Sequence, residues 1–274
     1  MAIPPVVDVA WLAAARAPVV LADVRWYLDG RSGRAAYDAG HLPGAIFVDV
    51  ERDLAGVPSA AEGRHPLPSP DSFAEALSRL GIGDADVVVA YDDDGGAMAA
   101  RLVWMLRATD REAALLDGGI AHWPGRLETR ARVRRSREAA VRPWPAGLLA
   151  SPDEVASGAH VVLDARAGER YRGEHEPVDP RAGHVPGAHS LPCRENLDES
   201  GRFLPADELR RRFASVGVSA RTSVVAYCGS GVTACHELLA LEHAGLSPGR
   251  LFAGSWSQWS SDASRAVATG PEPG

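Results

Sequence analysis

The chain is short of cysteine, of positive charge and of long apolar runs, and each shortage excludes a class of protein. Three cysteines in 274 residues, Cys193, Cys228 and Cys235, form no close CxxC pair. They offer neither a disulfide framework nor a metal clip, so a reducing compartment is expected. Lys and Arg number 29 against 36 Asp and Glu, and the formal net charge of -7 argues against general binding to nucleic acid. The N-terminal stretch MAIPPVVDVAWLAAARAPVV lacks a basic start and is broken by Asp8 and Arg16. It stays short of the roughly 18 apolar residues a membrane span needs, so a cytoplasmic chain without membrane contact is expected. What is present, 46% hydrophobic and 24% charged residues, is the balance of a soluble globular protein of one large domain or two ordinary ones.

Internal repetition decides for two. GHLPGAIFVDV from Gly40 matches GHVPGAHSLPC from Gly183, VVLADVR from Val19 matches VVLDAR from Val161, and VVVAYDDDGG from Val87 matches SVVAYCGSG from Ser223. Late in the repeat the offset is constant: Tyr91 and Tyr227, Gly118 and Gly254, and Trp123 and Trp259 are each 136 positions apart. The expected domains are 1–124 and 151–274, joined by a linker, 125–150. The Arg-rich and Pro-rich linker lacks apolar periodicity and reads as a solvated strap.

Within each copy the apolar runs are short, β-branched and uninterrupted, as strands buried on both faces of a parallel sheet are. Amphipathic segments separate them. SPDSFAEALSRLGIG offers Ser69 as N-cap, Pro70 at the first helical position and Gly81 as the stop, and LPADELRRRFASVGV repeats this with Pro205 and Gly217. The fold class is therefore α/β: two tandem domains, each a mostly parallel sheet with helices on both faces. Ligand sites of such sheets lie where a strand turns into the next helix.

One such turn carries a thiol. AYCGSGVTACHE, residues 226–237, ends an apolar strand on Cys228 and surrounds it with Gly229, Ser230, Gly231, Val232 and Thr233. Backbone N–H groups of the turn and the coming helix N-terminus favour an anion at the sulfur. The glycines permit close approach, and Ser230 and Thr233 add hydroxyl donors. A cysteine phosphatase would end such a loop on Arg, but six positions after Cys228 stands Ala234. In the first copy the thiol is replaced by Asp92, which cannot carry sulfur, and DDDGG there reads as a solvated acidic turn.

The two-copy layout, both GHxPGA motifs, LLDGGIAHW and CGSGVTACH together resemble the tandem rhodanese-domain sulfurtransferases, in particular their 3-mercaptopyruvate branch, over about residues 5–270. The resemblance implies a persulfide on Cys228, a small-molecule sulfur donor, a thiol, thioredoxin-type or cyanide acceptor, and no metal or organic cofactor. It places carboxylate-binding arginines at Arg170 and Arg181. The segment GEHEPVDPRAG is two residues longer than the family's common form, which makes Arg172 the substitute for Arg181. It also places a relay beside the cysteine: Ser230, His65 of GRHPLP, and Glu51 where relatives carry Asp. A proton source suits the departure of a pyruvate enolate.

Other candidates read as structural. His41 and His184 of the GHxPGA motifs look like turn histidines that bind backbone groups, and Cys235, two helical turns beyond Cys228, like a packed thiol. Cys193 has no evident partner. The loop CGSGVT contains no cation, which favours a monocarboxylate donor over the compact dianion thiosulfate. Thiosulfate is the runner-up, and a non-catalytic binding module a distant third.

Overall fold

The runs VVLAD, VVVAY, VVLD and VVAY form the central strands of two sheets in a computed structural model that describes residues 3–274. The chain divides into two units. The first comprises the chain up to Gly56, Pro68–Trp144 and Glu199–Phe203; the second comprises Val57–Leu67, Pro145–Asp198 and Leu204–Gly274. The sequence boundaries thus miss two exchanges: Val57–Leu67 belongs with the second unit, and Glu199–Phe203 with the first.

In the first unit, β1 (Val6–Val7), α1 (Val9–Ala14), β2 (Val19–Asp23), α2 (Gly33–Ala39), β3 (Ile46–Phe47), α3 (Val50–Asp53), α4 (Pro70–Leu80), β4 (Val87–Tyr91), α5 (Ala99–Ala108) and β5 (Ala113–Leu116) follow in chain order. The strand order is β1-β5-β4-β2-β3, all parallel. The capping signals of α4 operate as read: Ser69 Oγ accepts from Ser72 N at 3.1 Å, Pro70 opens the helix, and Gly81 ends it at φ 72°.

The second unit contains α6 (Pro152–Ala156), β6 (Val161–Asp164), α7 (Gly168–Arg172), β7 (Ala188–Ser190), α8 (Ala206–Ala214), β8 (Val224–Tyr227), α9 (Ala234–His243), β9 (Arg250–Leu251) and α10 (Ser255–Ser261). Its order is β7-β6-β8-β9, again parallel. A lone parallel bridge, Leu149 to Leu251, takes the place β1 has beside β5. Pro205 stands one residue before α8 rather than at its first position.

The repeated motifs do the same work in both sheets. Tyr37 stacks on His41 with ring centroids 3.8 Å apart, and His41 Nδ1 lies 2.8 Å from Tyr37 O; Tyr171 and His184 repeat this at 3.7 and 2.8 Å. Tyr91 OH accepts from Leu42 N, and Tyr227 OH from Val185 N. Buried ion pairs, Asp23 with Arg25 and Asp164 with Arg166, tie each central strand to the carbonyl of Gly40 or Gly183. The Arg-rich stretch runs extended along the first unit: Arg134 and Arg137 pair with Asp86, and Trp144 Nε1 donates to Pro68 O. Among the described residues no helix is long and apolar enough to cross a membrane.

Candidate active site

Strand β8 delivers its last residue, Tyr227, fully buried, so the chain must turn at once into α9. Gly231 makes that turn possible. Its φ is 77°, and a side-chain carbon there would stand 2.3 Å from Ala253 O, so only glycine fits. Gly231 N donates to Cys228 Sγ at 3.1 Å, and the Cys228 and Gly229 carbonyls accept from Trp256 N and Ser257 N of α10 at 2.9 Å each. One backbone N–H thus bonds the sulfur, and α10 holds the carbonyls of the loop that carries it. Val232 is buried, while Thr233 makes no capping side-chain bond at the start of α9.

Two residues beyond Cys228, Ser230 Oγ lies 2.8 Å from His65 Nδ1, and both side chains are buried. His65 arrives on Val57–Leu67, which is anchored to the start of α10. Gln258 Nε2 donates to Ala61 O, Arg64 N donates to Ser257 Oγ at 3.1 Å, and Gly63, at φ 85°, passes so near that a side chain there would meet Gly254 O at 2.5 Å. Glu51, the acid of the expected relay, lies in the first unit, where it is exposed and its Oε1 accepts from Trp26 Nε1 at 3.2 Å.

The arginines divide unexpectedly. Arg170, on α7, stands beside the loop: a side-chain carbon built on Gly229 would be 3.3 Å from Arg170 Nη1. The same point is 3.1 Å from Nη2 of Arg64, a residue the sequence reading passed over in GRHPLP. Arg181 has another occupation. Its guanidinium donates to the carbonyls of Trp259, Ser260, Asp262 and Arg265 and clamps the end of α10, so it is no free carboxylate ligand. The substitute, Arg172, forms an exposed pair with Glu174 at 2.8 Å.

Two carboxylates face the site arginines. Glu176 accepts from Arg170 Nη2 at 2.6 Å, and Asp179 bonds both Arg64 and Arg170. Burial lifts Asp179 above the usual carboxylate range although the Arg64 charge opposes it. For Glu176 the bonds from Arg170 and from backbone N–H groups outweigh burial and hold it below that range. The absence of cations from CGSGVT therefore does not leave the loop without cations nearby; they arrive beside Gly229 from other segments.

The matching turn of the first unit corrects another expectation. Asp92 is not solvated but fully buried, its oxygens accepting from the backbone N–H groups of Asp94, Gly96, Met98 and Ala99 at 2.7–2.9 Å. Burial pushes its carboxyl upward against those four donors. The remaining cysteines are interior: Cys235 Sγ donates to Gly231 O at 3.4 Å, and Cys193 is buried after β7.

Comparison with known proteins matches the Rhodanese-like domain to residues 8–125 and 151–262. A Pseudomonas aeruginosa protein provisionally named 3-mercaptopyruvate sulfurtransferase is 42% identical over 268 residues, covering 92% of this chain and 93% of that protein. A Mycobacterium tuberculosis protein provisionally named thiosulfate sulfurtransferase SseB is 40% identical over 271 residues, covering 96% and 95%. The crystal structure of SseA from Escherichia coli, described as a 3-mercaptopyruvate sulfotransferase, superposes with a TM-score of 0.79 at 29% identity, covering 93% of this chain and 99% of that one.

Proposed function

Because the chain belongs to the rhodanese-like family, we propose that it is a sulfurtransferase that carries a sulfane sulfur on Cys228 and takes it from 3-mercaptopyruvate. The Cys228 thiolate attacks the donor sulfur. The C–S bond breaks with its electron pair going to carbon, leaving Cys228–S–SH and the enolate of pyruvate, which takes up one proton to become pyruvate. An acceptor thiolate, from a small thiol or a thioredoxin-type protein, or cyanide, then removes the outer sulfur and returns the Cys228 thiolate. A reducing cytoplasm suits a cycle that must regenerate a free thiolate.

The observation that carries the choice of donor is the buried 2.8 Å bond between Ser230 Oγ and His65 Nδ1. Pyruvate enolate needs a proton as it leaves, and this pair can supply one beside the sulfur. Sulfite leaving from thiosulfate needs none. Thiosulfate remains the second reading because two guanidinium groups stand over Gly229, where a dianion would profit from them. Side-by-side kinetics with a common acceptor and pH test the choice. The expected result is a higher kcat/KM for mercaptopyruvate, together with a loss of about 100-fold in kcat on that donor in Ser230→Ala and little change with thiosulfate. An equal loss with both donors would remove the proton-supply argument, and a preference for thiosulfate would install the second reading.

A further inference from the structure

The guanidinium groups over Gly229 are already occupied by carboxylates of the chain itself. Asp179 reaches both: one oxygen accepts from Arg64 Nη1 and the other from Arg170 Nη2 at 3.2 Å. Its side chain is 3% exposed, and among the described residues its oxygens have no further hydrogen bonds. Glu176 differs. It accepts from the backbone N–H groups of Val178 and Asp179 and from Arg166 as well as Arg170, so it holds the loop together. Arg64 and Arg170 carry two positive charges, Glu176 and Asp179 two negative ones, and Arg166 is matched by Asp164. An arriving anion finds no unmatched cation unless one carboxylate withdraws.

Asp179 is the one placed to do so. It lies in a segment without helix or strand, between Pro177 and Pro180. With Arg64, whose side chain is 29% exposed, it lines a cleft of about 340 Å³ within the second unit. Its carboxylate, lifted by burial, is also the less stabilised anion of the two.

We propose that Arg64 is the second guanidinium of the donor site and that Asp179 is its resident occupant, an internal carboxylate which the donor carboxylate displaces to reach Arg64 and Arg170 beside Cys228. The identity of the donor rests on the sulfurtransferase reading above; the geometry does not. With Asp179 withdrawn, the two guanidinium groups against Glu176 leave one unmatched positive charge, the Cys228 thiolate not counted, which a monocarboxylate matches and a dianion exceeds. Asp179 thus sets donor charge selectivity as well as affinity.

Calorimetric titration of pyruvate, the inert monocarboxylate, into the wild type, Asp179→Asn, Arg64→Met and the double variant tests this without turnover. Asp179→Asn is expected to tighten pyruvate binding about tenfold and Arg64→Met to weaken it about tenfold. In the double variant the gain from Asp179→Asn should vanish. Unchanged or weaker binding in a folded Asp179→Asn would overturn the proposal, and so would an Arg64→Met variant that binds pyruvate as the wild type does. Arg64→Met alone decides the matter should Asp179→Asn not fold. Parallel titration of sulfate reads the charge rule: the dianion should bind the wild type more weakly than pyruvate does, and the reverse order refutes the rule. Intact-mass detection of sulfur on Cys228 with each donor tests the catalytic reading separately.

Discussion

The turn after β4 and the turn after β8 are the same anion cradle put to opposite uses. In the first, Asp92 fills the cradle with its own carboxylate and takes four backbone N–H groups. In the second, Cys228 places a sulfur there with one bonded N–H, from Gly231, and Ser230 stands where the first unit has Asp94. A resident anion makes a turn rigid and inert; a thiol in its place leaves binding capacity for chemistry. The units diverge again around the paired tyrosines. Ala36 precedes Tyr37, whereas Arg170 precedes Tyr171, and the step from tyrosine to motif histidine grows from 4 residues (37 to 41) to 13 (171 to 184). That added segment brings Glu176, Asp179 and Arg181.

The comparison breaks most completely at the cysteine. Cys228→Ser should abolish transfer with every donor, because an alkoxide is inaccessible near neutral pH and oxygen cannot hold the sulfane sulfur. Intact mass should show one added sulfur on the wild type and none on the variant. Adding Asp92→Cys to that variant should restore nothing, since Ala36 rather than an arginine stands directly before Tyr37 and no serine stands at position 94. Persulfide on Cys193 or Cys235 in Cys228→Ser would contradict the assignment.

Stability sharpens the same contrast. Asp92→Ala strands four N–H donors and should cost about 3 kcal/mol in denaturant unfolding with the catalytic loop unaltered. A neutral result would mean that water satisfies the cradle. Next in size, Arg170→Ala should lower kcat/KM for mercaptopyruvate by roughly 1.5–3 kcal/mol, with Arg172→Ala near neutral because its pair with Glu174 is exposed. Equal effects of the two would move the clamp elsewhere.

The smallest expected effect concerns a buried position 136 residues apart in the two copies, Arg101 on α5 and Glu237 on α9. Burial pushes the Glu237 carboxyl from 4.5 up to about 7, against the charge of Arg212 and a contact with the Asn196 side chain. The folded state therefore keeps a proton that the unfolded state releases, and stability falls as pH rises through that window. Glu237→Gln should be near neutral at pH 5 and stabilise by about 1–2 kcal/mol at pH 8, as read from thermal unfolding. A stabilisation that does not change with pH would refute the protonation account.

Much of this is legible in the sequence alone. The repeat was readable because its markers are partners in contact: tyrosines 37 and 171 lie on histidines 41 and 184, so both members had to persist in each copy. Strand runs and the caps of α4 follow from local chemistry, which a linear reading sees. Arg64 escaped because its relation to Gly229 spans 165 positions and no periodicity links them (229 less 64). The nearest hint was its place beside His65. Asp92 was misjudged because an acidic run resembles a solvated one until the N–H groups that surround it are known. Arg181 was misplaced because the longer segment around it shifts its guanidinium onto the end of α10.

The exchange of Val57–Leu67 into the second unit bears on modularity. Although the repeat invites a view of two interchangeable cassettes, a fragment beginning at Pro145 would keep Cys228, Ser230 and Arg170 yet lack Arg64 and His65, which come from the half of the chain that carries no thiol. The copy without a thiol cannot be discarded, nor the copy with Cys228 transplanted, without breaking the bond between Ser230 Oγ and His65 Nδ1, so duplication here has produced an indivisible pair.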